Sequence, residues 1–243
     1  MNNKKQIIAV IAFSVFFIHA LSATHAQVYS SSFISFRDTV YLQSRGLLDI
    51  MRLYTAAKQD IENTLTGENM YLALARCEYL MGITYKAESK NKEAAAFFEQ
   101  GIAWSENSLA ITPTSEGYLL MGNGITFLCQ INTSYGLKNH GKIEENAKKA
   151  LELDPDNIMA NHMMATFYLF APWPLGNEQK GERMLREILK QDYLSLNKDD
   201  LFNLYLMLQA ACLKQKKNQE AQTWQQKGAE LYPTNKFIIM LMS

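Results

Sequence analysis

Residues 75–101 read ARCEYLMGITYKAESKNKEAAAFFEQG, and the order of small and large side chains here decides the fold. Gly82 is followed by Tyr85, then by Ala94, Phe98 and Gly101, each falling on a helical step. Ser89-Lys90-Asn91-Lys92 is a polar turn between two stretches of helical apolar periodicity. The stretch is therefore a helix–turn–helix. Gly82 and Ala94 let the two helices close up, while Tyr85 and Phe98 fill the gaps between layers. One such hairpin cannot bury its apolar face alone, so it needs neighbours to stack on.

Outward from this hairpin the same periodicity continues. It predicts helices over 47–61, 71–85, 92–111, 116–132, 142–153, 158–170, 178–189, 199–213, 219–231 and 235–242, with a break at 64–69 and a turn at 136–141. Pro113 and Asp154-Pro155 stop two of them, and Thr114 or Ser115 caps the one that follows Pro113. Gly122-Asn123-Gly124 lies inside a helical pattern, where it marks a kink or a close helix contact. Alternating strand patterns are scarce. With 48% hydrophobic and 20% charged residues, 5 Pro and 12 Gly, the chain reads as globular and all-α, in antiparallel helix hairpins.

The small–large pattern recurs in register. Residues 145–157, ENAKKALELDPDN, carry Ala147, Ala150 and Pro155, although Ile131 and Ser134 stand where the preceding helix would hold Gly and Tyr. Ala165 and Tyr168 open a third unit, whose loop expands as Ala171-Pro172-Trp173-Pro174-Leu175-Gly176 before Gly181 and Leu185. Ala210, Leu213, Ala221 and Pro233 mark a last unit. This pattern resembles the 34-residue tetratricopeptide repeat (TPR), with its G-x2-Y, A-x3-F and closing Pro. The resemblance implies hairpins stacked as a right-handed superhelix, with units at 75–113, 116–157, 158–191 and 197–233. A helical segment at 38–66 precedes them and a short C-terminal helix follows, all in one domain spanning 38–243.

The N-terminal residues read differently. Lys4 and Lys5 precede an apolar run from Ile7 to Leu21, and Thr24-His25-Ala26 offers small residues for cleavage. Residues 1–26 thus read as a secretory signal peptide, since the run of about 15 residues is short of the ~20 needed to span a bilayer. Cleavage after Ala26 leaves a flexible segment at 27–37 and sends the chain to a periplasm or the medium. The first Cys is Cys77, so no lipid-acceptor Cys lies at the cleavage point. Lys+Arg and Asp+Glu both number 24, without a basic block, so nucleic acid is not an expected partner. No second stretch is long and apolar enough to predict a membrane span after cleavage. Cys77, Cys129 and Cys212 are isolated within apolar helical stretches and read as small buried hydrophobes. No metal or cofactor pattern is present.

Candidate binding residues follow from the resemblance, because the first helices of TPR units line the concave surface. Those positions are Arg76, Tyr79, Ile83 and Lys86 in the first unit, Leu128, Asn132 and Tyr135 in the second, and Met159, His162, Thr166, Leu169 and Phe170 in the third. For Tyr79, Leu128 and Leu169 a place in the core between layers is an equal alternative. The Lys and Asn arrangement that grips acidic C-termini in cytosolic TPR proteins is not reproduced. His162 has no nucleophile or metal motif around it and reads as a hydrogen-bonded structural His. Trp173 either forms a rigid lip over the groove or seals the expanded turn. Residues 237–242, FIIMLM, read as a helix covering the last unit.

The secretory route and the expanded loop also look similar to the T-component proteins of TRAP transporters, periplasmic helical proteins that associate with a solute-binding partner. Two functions are therefore expected. One is a non-catalytic exported scaffold that binds a protein or peptide on its concave face. The other is a periplasmic helper of a TRAP-type uptake system that binds a small apolar ligand or the solute-binding protein.

Overall fold

The computed structural model describes residues 29–171 and 174–236. Among them are eleven α-helices and no strand. They are α1 (Ser31–Leu42), α2 (Leu47–Thr64), α3 (Gly67–Ala87), α4 (Asn91–Ile111), α5 (Ser115–Ile131), α6 (Thr133–Asn139), α7 (Gly141–Leu153), α8 (Ile158–Phe170), α9 (Glu178–Ile188), α10 (Lys198–Lys214) and α11 (Asn218–Leu231). Within the hairpins α1 packs on α2, α3 on α4, α5 on α7, α8 on α9 and α10 on α11, and α4 packs as closely on α5 of the next hairpin. The chain is thus a stack of antiparallel hairpins, as the repeat pattern predicts.

The hairpins are made by the expected residues. Gly82 sits under the Phe98 ring so closely that an added Cβ would lie 2.4 Å from it. Gly181 does the same for α8 and α9, where a Cβ would lie 2.7 Å from the Ala165 carbonyl oxygen. Two of the turns share one geometry. Ser89 and Lys216 are both left-handed, at φ 59° and 60°. In each turn the next amide reaches five residues back, Lys90 to Tyr85 and Lys217 to Cys212, both at 2.9 Å. This double turn satisfies the last carbonyls of the helix and reverses the chain. Gly122 and Gly124 mark close contacts, the first against Met163 and the second against Ile102.

Four details differ from the expectation. Residues 31–37, expected to be flexible, form the start of α1, because Ser30 caps it and Phe33 and Phe36 are fully buried. The segment 38–66, expected as a flanking helix, belongs to a fifth hairpin made by α1 and α2. The first predicted unit begins earlier, at Gly67, since α3 runs 21 residues. Residues 136–141, expected as a turn, mostly lie in α6, which Asn132 caps by accepting from the Tyr135 amide at 3.0 Å. The expected signal segment 1–26, Pro172, Trp173 and the expected terminal helix at 237–242 lie outside the described residues. No helix among the described residues is long and apolar enough to cross a membrane.

The array also closes on itself. The first helices pack in series, α1 on α3, α3 on α5, α5 on α8 and α8 on α10, and α10 then touches α1. Tyr41 of α1, Phe202 of α10 and Tyr232 form one aromatic cluster, with ring centroids 5.1–5.5 Å apart. Polar contacts fasten the seam. Tyr232 donates to Asp38 at 2.8 Å, Asn203 donates to the Tyr41 hydroxyl at 2.9 Å, and Asn235 donates to the Tyr41 carbonyl at 2.6 Å. Thr234 adds a bond to the Leu42 carbonyl. Both ends of the array thereby share one apolar core, and the concave face becomes the wall of a central space.

Candidate functional site

That central space is a cavity of about 610 Å³. Its walls come from α3, α5, α6, α8 and α10, with Tyr41 contributed by α1. Most of the lining is apolar, including Leu119, Leu120, Phe127, Met163, Phe167 and Met207. Sites of this size and character fit molecules of a few hundred daltons. Leu137 and Phe170, 77% and 51% exposed, stand on the α6 and α8 side of the same lining and form an apolar lip.

One end of the cavity is ionic. The Arg76 guanidinium, on α3, lies 2.9 Å from Asp199 and 2.8 Å from Asp200, both in the first turn of α10. It also reaches Glu116 of α5 at 3.2 Å. Arg37 of α1 approaches Asp199 at 3.4 Å and is shared with Asp38 at 3.0 Å. The Tyr29 ring stacks beneath Arg76, 5.3 Å from its guanidinium, and on Phe33 at 4.4 Å. Four of the helices that enclose the cavity thus meet in one buried ion network.

Burial governs the ionisation of this end. It would by itself lower the Arg76 pKa, but Asp200, Tyr29, Asp199 and Glu116 reverse this and hold the guanidinium charged. Burial raises Asp200 to about 6, against the pull of Arg76 and with the push of Asp199 and Glu116. Burial likewise pushes the hydroxyls of Tyr29, Tyr41 and Tyr79 up, so all three stay protonated. On α8, burial lowers His162 to about 4, so its imidazole is neutral at pH 7. His162 Nε2 and Thr166 Oγ1, one turn apart, are both buried without a hydrogen-bond partner.

Of the residues expected on the concave face, Arg76, Tyr79, Met159, His162, Thr166 and Phe170 line this cavity. Arg76 is already engaged by three carboxylates, which the sequence did not signal. Leu169, 1% exposed, is core between α8 and α9. Ile83 and Lys86 lie off the cavity. Ile83 packs in the core between hairpins, and the Lys86 amine sits 5.6 Å over the Phe127 ring. Leu128, Asn132 and Tyr135 also lie elsewhere. Leu128 is buried against Ala94 and Phe98, and all three border a separate cleft beside the start of α4. The physical reason is rotation of α5. Its inward stripe runs through Glu116, Leu120, Asn123, Phe127 and Gln130, so positions 128 and 132 face α4 of the preceding hairpin instead. Trp173 lies outside the described residues.

The contribution of α10 was not anticipated. Asp199 and Asp200 are acids in a helix first turn, where solvated acids are ordinary. Only the closure of the ring buries them. Among the described residues no three His, Cys, Asp or Glu side chains gather as a metal-binding group.

No family model matches the chain, and no curated protein does. Among solved structures, nearly identical TPR-like repeats of a Podospora anserina kinesin light chain are similar at 13% identity and a TM-score of 0.40. That likeness covers 82% of this chain and 93% of the other.

Proposed function

We propose that the protein is a non-catalytic binding scaffold of the cell envelope, exported by its N-terminal segment, that holds a small, largely apolar molecule in the centre of its helical ring. The observation that carries this reading is the central, mostly apolar cavity of about 610 Å³. An open concave face suits an extended peptide. A face closed by contact of α10 with α1 suits a compact guest. This is the role expected of a helper for solute uptake, in the manner of the TRAP T-components that the sequence resembles.

A protein partner fits the same scheme at the lip. Leu137 and Phe170 expose apolar side chains beside the cavity that a partner could cover. A solute-binding protein docked there would pass its cargo to the cavity or collect it.

The test is uptake of the neutral apolar dye N-phenyl-1-naphthylamine by the purified chain. The wild type is expected to take up one dye per chain with enhanced fluorescence. Met207→Trp, which fills the space from α10, should abolish uptake while keeping the helical circular dichroism of the wild type. Equal uptake by the variant, or none by the wild type, would overturn the cavity reading.

A further inference from the structure

We propose that the guest carries a cationic amine head, seated at the Glu116–Asp199–Asp200 end of the cavity, with its apolar remainder between α5, α8 and α10. The inference rests on the cavity-binding reading above and adds to it the chemical class of the guest.

The charge of the site points this way. Of the ionised side chains lining the cavity, one is the Arg76 guanidinium and three are carboxylates. The surrounding charges do not close the gap. Arg37 touches Asp199 but is shared with Asp38, which also has Lys198 only at 3.9 Å. Even with these included, Arg37, Arg76 and Lys198 stand against Asp38, Glu116, Asp199 and Asp200. The Tyr29, Tyr41 and Tyr79 hydroxyls stay neutral and His162 is uncharged, so a surplus of negative charge remains at a buried end. Buried charge of one sign is costly unless a counter-charge arrives.

Hydrogen bonding points the same way. Both terminal nitrogens of Arg76 are taken by the acids. Asp199 is 3% exposed at its side chain, and its Oδ1 has no hydrogen bond, only the Arg37 guanidinium at 3.4 Å. The neutral His162 ring offers one acceptor, and Thr166 Oγ1 can also accept; neither His162 Nε2 nor that hydroxyl has a partner. The vacant capacity is therefore mostly acceptor capacity, which an ammonium group with its N–H donors satisfies. The Tyr79 and Phe127 rings line the same space and give the apolar remainder of the guest a wall to pack on. A carboxylate head would meet the acids and find Arg76 occupied.

The experiment displaces N-phenyl-1-naphthylamine at pH 7.5 with decylammonium, decanol and decanoate, each below its micelle concentration. Decylammonium is expected to compete at concentrations at least tenfold lower than decanoate and several-fold lower than decanol. Glu116→Gln, at the partly exposed member of the cluster, should shrink the ammonium-to-decanoate preference at least threefold. Decanol or decanoate competing as well as decylammonium would overturn the amine head and leave the cavity reading intact. A preference unchanged in Glu116→Gln would also overturn the proposed seat. Failure of the wild type to take up the dye at all would overturn both.

Discussion

Replacing Arg76 by Met should unfasten the ring, and the size of the effect can be worked from the ion network. Arg76 is the shared partner of Glu116, Asp199 and Asp200. Its loss leaves the adjacent Asp199 and Asp200, with side chains 3% and 14% exposed, without the cation they share. Removing one member of a buried ion pair costs about 3–5 kcal/mol. Arg37 remains at 3.4 Å from Asp199, so a loss of about 3 kcal/mol is expected at pH 8. The loss should depend on pH in a stated direction. Asp200 already has a folded pKa of about 6 against 3.8 for the free group. An acid raised in this way binds its proton more tightly when folded, so it adds stability as pH falls through about 6 toward 4. Without Arg76 the folded pKa rises further, and the window widens upward. The cost of Arg76→Met should therefore shrink by about 1–2 kcal/mol between pH 8 and pH 5, since each pH unit below the folded pKa recovers up to ~1.4 kcal/mol. Urea unfolding followed by circular dichroism at both pH values measures this. Hydrogen exchange on α1 and α10 gives the local readout, because repeat arrays can unfold in stages. A second variant, Arg76→Met with Asp200→Asn, should regain part of the loss at pH 8. A cost below about 1 kcal/mol at pH 8, or one equal at the two pH values, would refute the reasoning that Arg76 holds these buried acids together at the seam.

Other consequences are as direct. Gly181→Ala pushes a Cβ against the backbone of α8 and should cost about 1–3 kcal/mol, whereas Gly141→Ala meets nothing within 4 Å and should fall within about 0.5 kcal/mol of the wild type; equal effects in thermal unfolding would contradict the close approach of α8 and α9. His162, held at about 4 when folded against 6.5 when free, binds its proton more weakly in the folded state. It should thus remove up to about 3 kcal/mol of stability as pH falls from 6.5 to 4, a slope that His162→Gln loses; identical pH profiles for variant and wild type would show the imidazole to be solvated. N-ethylmaleimide should label Cys129 well before Cys77 or Cys212. Burial pushes all three thiols up, Cys212 to about 11, but Cys129 is partly exposed and lines the cavity while the other two are buried. Peptide mapping of the labelled sites checks the order, and bound N-phenyl-1-naphthylamine should slow the labelling. Leu128→Ala should cost about 2–5 kcal/mol of stability while dye affinity stays at the wild-type level; a large fall in affinity in a folded variant would return Leu128 to the cavity wall.

The reach of the sequence stops at a definable physical level. Gly82 under Phe98, Gly181 against Ala165 and the polar turns are contacts between residues close in the chain, and each writes itself as spacing. The hairpins were legible for that reason. Rotation of a helix about its own axis is harder to read when apolar residues surround it. In α5 both Phe127 and Leu128 are large and apolar and both pack toward Phe98, and only the cavity, which Phe127 lines, tells them apart. One residue of error there moved the expected α5 candidates off the cavity.

Closure of the ring was less legible still, because it depends on how small rotations accumulate from hairpin to hairpin. No single repeat encodes that sum. It does leave traces, but they look ordinary one at a time. Asp199 and Asp200 pass for a helix first turn, Arg37 for a surface charge, and Tyr41 and Tyr232 for separate core aromatics. Their meaning lies in pairing across 123 or more positions, as in Arg76 with Asp199 and Tyr232 with Asp38. The seam is also where the chemistry departs from the rest of the core. Elsewhere the buried acids have their own cations, Glu78 with Lys58 and Glu182 with Arg186 and Lys217. Here a guanidinium and several carboxylates are buried together, and the acids outnumber the cations that reach them. A seam needed for stability alone is as well served by apolar residues, since a buried ion pair seldom stabilises more than an apolar replacement. Charge placed where the ring closes, and facing the cavity, is better explained by what the cavity holds than by what holds the ring together.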